Sequence, residues 1–325
     1  MASMTDNLYA VAQGNANGQT VYVAVGDNGT ILMSRDPKSS DSWALVNSGT
    51  TENLRGVIFN ENHRQFYAVG DNGALAISTD GKYWTASTLK DSAGNSSNLK
   101  AIAYNKKWLF AHGHADKENT VNTINFASQD GRSWSALTQD QDAATAGFAV
   151  VANAALSGRF VMTENEPADY PTVKMSFSDS DDPTDGKYNI LNNTGTNSEG
   201  TVPLADDEFL YGLATDEKGR YVAVGDNGQI VMATDSDLLD WNKVNIAQIG
   251  KPKTLRAVAM LGDSFIAVGD EGALSVTNDG GLYWKTTTDG TTNLRGVVAI
   301  NQASSGGSHT FIVVGDKGRI FTIGS

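Results

Sequence analysis

The sequence predicts an all-β chain folded as a seven-bladed β-propeller of four-stranded antiparallel blades, and three observations carry that expectation. First, one Gly-Asp-x-Gly stretch recurs as VGDNG at 25–29, 69–73 and 224–228, VGDEG at 268–272 and VGDKG at 314–318. Second, its leading glycines are spaced 44 (Gly26 to Gly70), 44 (Gly225 to Gly269) and 46 (Gly269 to Gly315) residues apart, which is the period of one propeller blade. Third, apolar residues alternate in short runs broken by Gly, Asn, Asp and Ser, with 34 glycines and six prolines in 325 residues. Such runs are strands joined by tight turns.

In chain order, each unit opens with a strand: NLYAVAQ (7–13), NLRGVIF (53–59), NLKAIAY (98–104), GFAVVAN (147–153), FLYGLAT (209–215), TLRAVAM (254–260) and NLRGVVA (293–299). A second strand ends in the Gly-Asp turn. A third follows, such as ALAIS (74–78), and a tryptophan starts a fourth, as in YWTAST (83–88). Gly70 and Gly225 lie 155 residues apart, which leaves room for two less regular copies. LFAHGHADKEN puts Gly113 in register 43 residues after Gly70, and RFVMTENEP puts Thr163 at the glycine position and Glu164 at the aspartate position. The predicted blades are 7–49, 53–91, 98–140, 147–200, 209–248, 254–290 and 293–325. The last lacks a tryptophan strand, and the residues before Asn7 are expected to fill that register. Residues 1–3 read as a cloning remnant and 4–325 as one domain, because a single blade cannot cover its own two faces.

Composition narrows the function. No cysteine is present, which excludes disulfides, zinc–thiolate sites and a thiol nucleophile. The net charge of −13 repels polyanions and argues against nucleic acid and anionic membranes as partners. No apolar run approaches the length of a membrane span, and with a strand expected from residue 7 no signal peptide is expected. No cofactor is expected.

The aspartates of the recurring turn, Asp27, Asp71, Asp226, Asp270 and Asp316, read as turn-fixing groups. Gly, Asn and Asp tolerate positive φ between alternating strands, and a carboxylate can accept nearby backbone N–H groups. A catalytic group has no reason to recur at one position of five blades. The loops before the fourth strands, STDGKYW (78–84), SQDGRSW (128–134) and TNDGGLYW (277–284), place Asp80, Asp130 and Asp279 ahead of Trp84, Trp134 and Trp284. SRDPKSSDSW (34–43) and ATDSDLLDW (233–241) are drifted copies. These loops resemble Asp boxes, the bacterial neuraminidase (BNR) repeat. Combined with LRGV…YAVGDNG, nearly the whole chain resembles the photosystem II assembly and stability factor-like propellers, a type found in bacterial and bacteriophage proteins. The resemblance implies a propeller whose box aspartates hold loop backbone and whose tryptophans pack between blades. A sialidase would need an arginine triad, a Tyr–Glu nucleophile pair and a Phe/Tyr-Arg-Ile-Pro motif in the first blade. Here the only Arg-Ile is Arg319-Ile320, in the last unit.

The residue after the leucine of each opening strand, or after Gly147 in the fourth, varies: Tyr9, Arg55, Lys100, Phe148, Tyr211, Arg256 and Arg295. Opening strands line the central channel of a propeller, so these side chains are expected near one end of it. Two readings follow. Either each cation pairs with a turn aspartate, or a basic arc faces a carboxylate, an acidic peptide or an anionic glycan. His112, His114 and Asp116 alternate along one strand as a candidate metal grouping, or as drift of the repeat. Residues 163–209 are long, acidic and hold four of the six prolines, as a partner-contact loop or a tolerated insertion would. The function expected is a non-catalytic binding or assembly module. Its first placement is as a bacteriophage virion structural or receptor-contact protein, made in the host cytoplasm and touching other virion proteins or a cell-surface glycan. The alternatives are an assembly factor of a membrane protein complex and a glycan-binding or sialidase-like hydrolase.

Overall fold

The structure is a computed structural model and describes residues 2–114, 124–138, 147–153, 156–164, 173–192, 200–216, 218–248, 250–290, 292–300 and 309–324. Short apolar runs punctuated by tight turns give antiparallel meanders. The first comprises β1 (Leu8–Ala16), β2 (Gln19–Gly26), β3 (Ile31–Ser34) and β4 (Ala44–Val46). The second comprises β5 (Leu54–Asn60), β6 (Gln65–Gly70), β7 (Ala74–Ser78) and β8 (Thr85–Thr88). The third comprises β9 (Asn98–Tyr104), β10 (Leu109–His114), β11 (Ile124–Ser128) and β12 (Ser135–Thr138). Then come β13 (Ala149–Ala152), β14 (Phe160–Thr163), β15 (Val173–Ser178) and β16 (Tyr188–Asn192).

A short strand, β17 (Gly200–Thr201), runs parallel to β16 and bridges to the next meander. That meander is β18 (Leu210–Thr215), β19 (Arg220–Gly225), β20 (Ile230–Thr234) and β21 (Asp237–Lys243), so the two join as one 9-stranded sheet. β22 (Asn245–Gln248) adds in parallel to the outer edge of β23 (Leu255–Leu261), β24 (Ser264–Gly269), β25 (Ala273–Thr277) and β26 (Tyr283–Thr288). Among the described residues the last sheet has three strands, β27 (Leu294–Ile300), β28 (Thr310–Gly315) and β29 (Ile320–Gly324).

The opening strands touch in a closed cycle: β1 with β5, β5 with β9, β9 with β13, β13 with β18, β18 with β23, β23 with β27, and β27 back with β1. Hydrophobic clusters fill the spaces between successive sheets. Val23, Val25 and Ile31 meet Leu54, Phe59 and Phe66, for example, and Leu8, Tyr22 and Leu32 meet Ile300, Ile312 and Val314. Each second strand is therefore buried on both faces, which is why VYVAVG and FIAVG read as unbroken apolar runs. The chain is an all-β propeller of four-stranded antiparallel sheets. Its core is divided among the spaces between sheets.

Crowding at the centre dictates a small residue near the start of every opening strand: Ala10, Gly56, Ala101, Ala149, Gly212, Ala257 and Gly296. A Cβ on Gly56 would sit 3.1 Å from the Ala101 Cα, and one on Gly212 2.8 Å from the Ala257 Cα, because neighbouring inner strands converge there.

The recurring turn is a type I′ hairpin, as Asn28 (φ 56°) and Gly29 (φ 71°) show, and it is closed by Thr30 N–H donating to the Asp27 carbonyl at 2.9 Å. Its leading glycine is needed for close approach: a Cβ on Gly26 would fall 2.0 Å from the Asn7 carbonyl oxygen. The turns also clasp the sheets together. The side-chain oxygen of Asn53 accepts the Asn28 N–H at 2.9 Å, that of Asn98 the Asn72 N–H at 2.9 Å, and that of Asn293 the Glu271 N–H at 3.0 Å.

The expectation that residues before Asn7 supply a fourth strand to the last sheet is corrected. Residues 4–6 form a turn and bend, with Asp6 N–H reaching back to the Ser3 carbonyl. Closure instead uses the same clasp: Lys317 N–H donates to Asn7 Oδ1 at 3.1 Å and Gly318 N–H to the Asp6 carbonyl at 2.8 Å. The second sheet meets the third in the same way, through Asn72 N–H on Asn98 and Gly73 N–H on the Ser97 carbonyl.

Lys317 occupies the left-handed turn position (φ 57°) that asparagine fills in three sister turns. A lysine there is strained, whereas asparagine visits that region readily. Lys317→Asn is expected to raise the unfolding free energy by about 0.5–1 kcal/mol in urea denaturation. An unchanged or lowered value would contradict this strain argument.

Candidate functional site

The side chains at one end of the channel are aimed by a bulge. In β1, Leu8 lies opposite Gly26 and Ala10 opposite Val25, so Tyr9 is an extra residue in the ladder. The same register shift isolates Arg55, Lys100, Tyr211, Arg256 and Arg295. A bulge bends its strand and re-aims a side chain. Together with Phe148, these residues line one cavity of about 380 Å³ at the centre of the ring. All seven residues singled out at this strand position therefore meet at one place.

The cations are not a bare basic arc. Arg55 grips Asp71 side-on, Nε to Oδ1 at 3.1 Å and Nη2 to Oδ2 at 2.7 Å. Arg256 grips Asp270 likewise at 3.0 and 2.7 Å. Arg295 holds Asp316 through Nε and Nη2. Lys100 Nζ lies 3.5 Å from Asp71 Oδ1, so this carboxylate serves two cations. Where the strand carries tyrosine, the hydroxyl replaces the cation: Tyr9 donates to Asp27 at 2.7 Å and Tyr211 to Asp226 at 3.2 Å. Asparagine completes the hub, with Asn7, Asn53 and Asn293 each donating to the aspartate of their own sheet at 2.9 Å.

Ring stacking ties these units sideways. The Arg55 guanidinium lies 4.3 Å and that of Arg295 5.5 Å from the Tyr9 centroid, so Tyr9 contacts two arginines. Arg256 lies 4.5 Å from the Tyr211 centroid, and Tyr211 meets Phe148 edge-on at 4.9 Å. Each guanidinium spends its Nε–Nη2 edge on the aspartate, which leaves the Nη1 edge outside the pair.

Titration follows from this geometry. Burial pushes the Asp71 carboxyl up, but hydrogen bonds from Arg55 and Asn53 and the charges of Lys100 and Arg55 outweigh it and hold it below the ordinary range. Burial works against the charge on Arg55, yet Asp71 raises its value above normal. Burial, aided by Asp226, pushes Tyr211 up to about 12, and burial with the bond to Asp27 raises Tyr9. Both phenols therefore remain donors at neutral pH.

The loops before the fourth strands are built on their aspartates. Asp80 Oδ1 accepts the N–H groups of Lys82 and Tyr83 at 2.8 and 2.9 Å. Asp130 Oδ1 accepts those of Arg132 and Ser133, and Asp279 Oδ1 those of Leu282 and Tyr283. The indoles of Trp84, Trp134 and Trp284 donate to the carbonyls of Gly81, Gly131 and Gly281. These aspartates lie away from the channel cavity. Trp284 is fully buried, and Trp84 and Trp134 are half-buried.

His112 is buried, with Nδ1 at 3.1 Å from Asn125 Oδ1 and its ring stacked on Phe110. Asp116 and the side chain of His114 lie outside the described residues. Glu164 replaces the turn aspartate, is buried, and accepts from Ser176 at 2.8 Å. Beside it, sequence reasoning missed Lys174, which is fully buried. Its ammonium donates to the carbonyls of Asp206 and Glu208 at 2.7 Å and lies 4.7 Å from the Phe209 ring centroid. In the alternating strand VKMSFS, Lys174 falls on the polar side with Ser176 and Ser178, so no local signal marked it as buried.

No family model matches the sequence, and no curated protein matches it. Solved structures do. YCF48 bound to a D1 peptide superposes with a TM-score of 0.67 at 15% identity, covering 100% of this chain and 93% of that one. YCF48 from Cyanidioschyzon merolae gives 0.67 at 13% identity, covering 98% and 96%. The WD40 β-propeller domain of Doa1 gives 0.62 at 12%, covering 98% and 93%. This likeness establishes the propeller fold.

Asp71→Asn is expected to cost about 1–3 kcal/mol in stability, because it unpairs Arg55 and Lys100 together. Asp27→Asn, facing a phenol and an amide, should cost less. Because the folded-state value of Asp71 is depressed, its contribution is complete above the ordinary carboxylate range and is lost as pH falls from about 4. Urea melts at pH 5 and pH 2.5 should therefore show a smaller acid loss for Asp71→Asn than for the parent chain. An equal loss would contradict this assignment.

Proposed function

We propose that this chain is a non-catalytic binding or assembly module with seven blades, and that its channel mouth takes an extended protein segment. The observation that carries the reading is convergence: Tyr9, Arg55, Lys100, Phe148, Tyr211, Arg256 and Arg295 meet around one cavity, each delivered by its own inner strand. The closed cycle of opening strands supports seven as the blade count. The loops at Asp80, Asp130 and Asp279 bond as Asp boxes would.

The mouth suits a peptide. The paired arginines are pre-positioned, so a ligand meets fixed Nη1 donors and aromatic faces at little ordering cost. Phe148, Tyr211 and Lys100 form the sector without an Arg–Asp pair, where an apolar side chain can pack beside a cation. One structural neighbour, YCF48, is seen with a D1 peptide bound. That favours the assembly-factor reading over the virion role expected from the sequence, which none of these three neighbours supports. The paired carboxylates also weigh against an enzyme, since each is committed to a turn, a cation or a phenol.

Binding to an array of fluorescein-labelled 12-residue peptides tests this. The Lys100→Ser/Phe148→Ala double variant keeps every Arg–Asp pair, and its melting temperature is measured alongside so that lost binding is told apart from lost fold. It should weaken capture of the best peptide at least tenfold. Undiminished binding, or turnover of a sialoside or oligosaccharide panel by the parent chain, would overturn the proposal.

A further inference from the structure

Asn-Gly pairs occur at 17–18, 28–29, 72–73 and 227–228. Glycine after asparagine leaves the side-chain amide open to attack by the glycine's own backbone nitrogen, because no side chain shields that nitrogen. All four pairs share one local shape. Asn17, Asn28, Asn72 and Asn227 have φ of 53°, 56°, 55° and 53°, and the following glycines 77°, 71°, 72° and 69°. Each is a type I′ turn with an exposed asparagine. Sequence and dihedrals leave the four equal, but their surroundings do not.

Attack requires one motion. The peptide between the two residues must flip, which keeps the asparagine φ positive and carries its ψ to about −120°, the corner of a type II′ turn. In three of the turns that peptide is held, with ψ of 28° at Asn28, 30° at Asn72 and 26° at Asn227 and with Gly29, Gly73 and Gly228 buried. Gly73 N–H donates to the Ser97 carbonyl at 2.8 Å. Asn72 is fixed twice more, its N–H on Asn98 Oδ1 at 2.9 Å and its Nδ2 on Glu52 at 2.8 Å. Asn28 N–H is held by Asn53, and a Cβ on Gly29 would fall 2.1 Å from the Thr50 carbonyl oxygen. Asn227 Nδ2 donates to Glu208 at 3.1 Å, and Gln229 binds the same oxygen at 3.0 Å.

The first pair has none of this. Gly18 is exposed, and a Cβ there would meet nothing within 4 Å. Its turn joins β1 to β2 at the end of the sheet far from Tyr9, just beyond the last strand pair, Ala16 with Gln19. A flip at this tip breaks no contact with a neighbouring sheet.

We propose that Asn17 is a site of deamidation and that the clasp between sheets shields the other three asparagines. The Gly18 nitrogen gives up its proton to solvent and bonds to Asn17 Cγ. The Cγ–Nδ2 bond breaks, ammonia leaves, and a five-membered imide remains. Water then opens the imide at either carbonyl, giving aspartate or the β-linked isoaspartate, with no change of oxidation state. At position 17 the product adds one negative charge on the face opposite the channel mouth. The β-linked form lengthens the backbone by one atom outside the last strand pair, so the fold is retained. At Asn72 the same change would set a new carboxylate against Glu52. The contacts that align the sheets therefore also preserve the residues that make them.

The test is mass-spectrometric peptide mapping of the whole chain after prolonged incubation in mildly alkaline buffer, once folded and once in concentrated urea. In the folded chain Asn17 should convert at least fivefold faster than Asn28, Asn72 or Asn227, with aspartate and isoaspartate both found at position 17. In urea the gap should close, since all four are then unrestrained Asn-Gly pairs. A smaller gap in the folded chain would overturn the proposal. So would a fivefold gap that persists in urea, because it would trace the difference to neighbouring sequence and not to the clasp.

Discussion

The structure depends on what one carboxylate does at the end of five of the second strands. The turn aspartate ties down an arginine or tyrosine from the opening strand of its own sheet and, in three sheets, an asparagine as well. The same asparagine, through its oxygen, holds the N–H of the preceding turn. Hydrophobic burial between sheets has no preferred direction and would allow neighbouring sheets to slide. The clasp fixes their height and angle, and repetition of it around the circle places the bulged side chains level at one mouth. Where the repeat lapses, the substitutes are recognisable. Thr254 reaches Asp226 across the gap between sheets at 3.2 Å, and Glu164 turns to Ser176.

The mouth is therefore a by-product of stability. Each arginine is held in a geometry that a free side chain would adopt only at an entropic cost. The pairing that neutralises its charge also leaves a fixed donor edge and a stacked aromatic face. Such a surface selects shape and hydrogen bonding more than net charge, which suits an extended backbone better than a polyanion.

Much of this was legible in the sequence. The 44-residue spacing exposed the repeat, and NLRGV and VGDNG marked where strands begin and end. The residue after each leucine could be assigned to the channel because opening strands must converge there. Other features depend on register between strands and lie beyond local pattern. The bulge at Tyr9 exists only through its pairing with Gly26 and Val25. The neutralisation of Arg55 depends on a carboxylate 16 residues away, brought beside it by that pairing. Asn53 looked like part of a motif, yet its two roles face two different sheets. The segment before Asn7 was expected to be a strand because a strand was missing, but its residues turn and close the ring through backbone groups.

The central claim is that the seam between the last and first sheets is held by the same clasp as the junctions at Asn28, Asn72 and Glu271. Native-state hydrogen exchange of the Lys317 amide, which donates to Asn7, tests it most directly against the Asn28 and Asn72 amides, which donate to Asn53 and Asn98. The account predicts that all three exchange together, at the rate set by unfolding of the whole ring. A Lys317 amide that exchanges orders of magnitude faster than the other two would show that the ring opens at this seam, and would contradict the account.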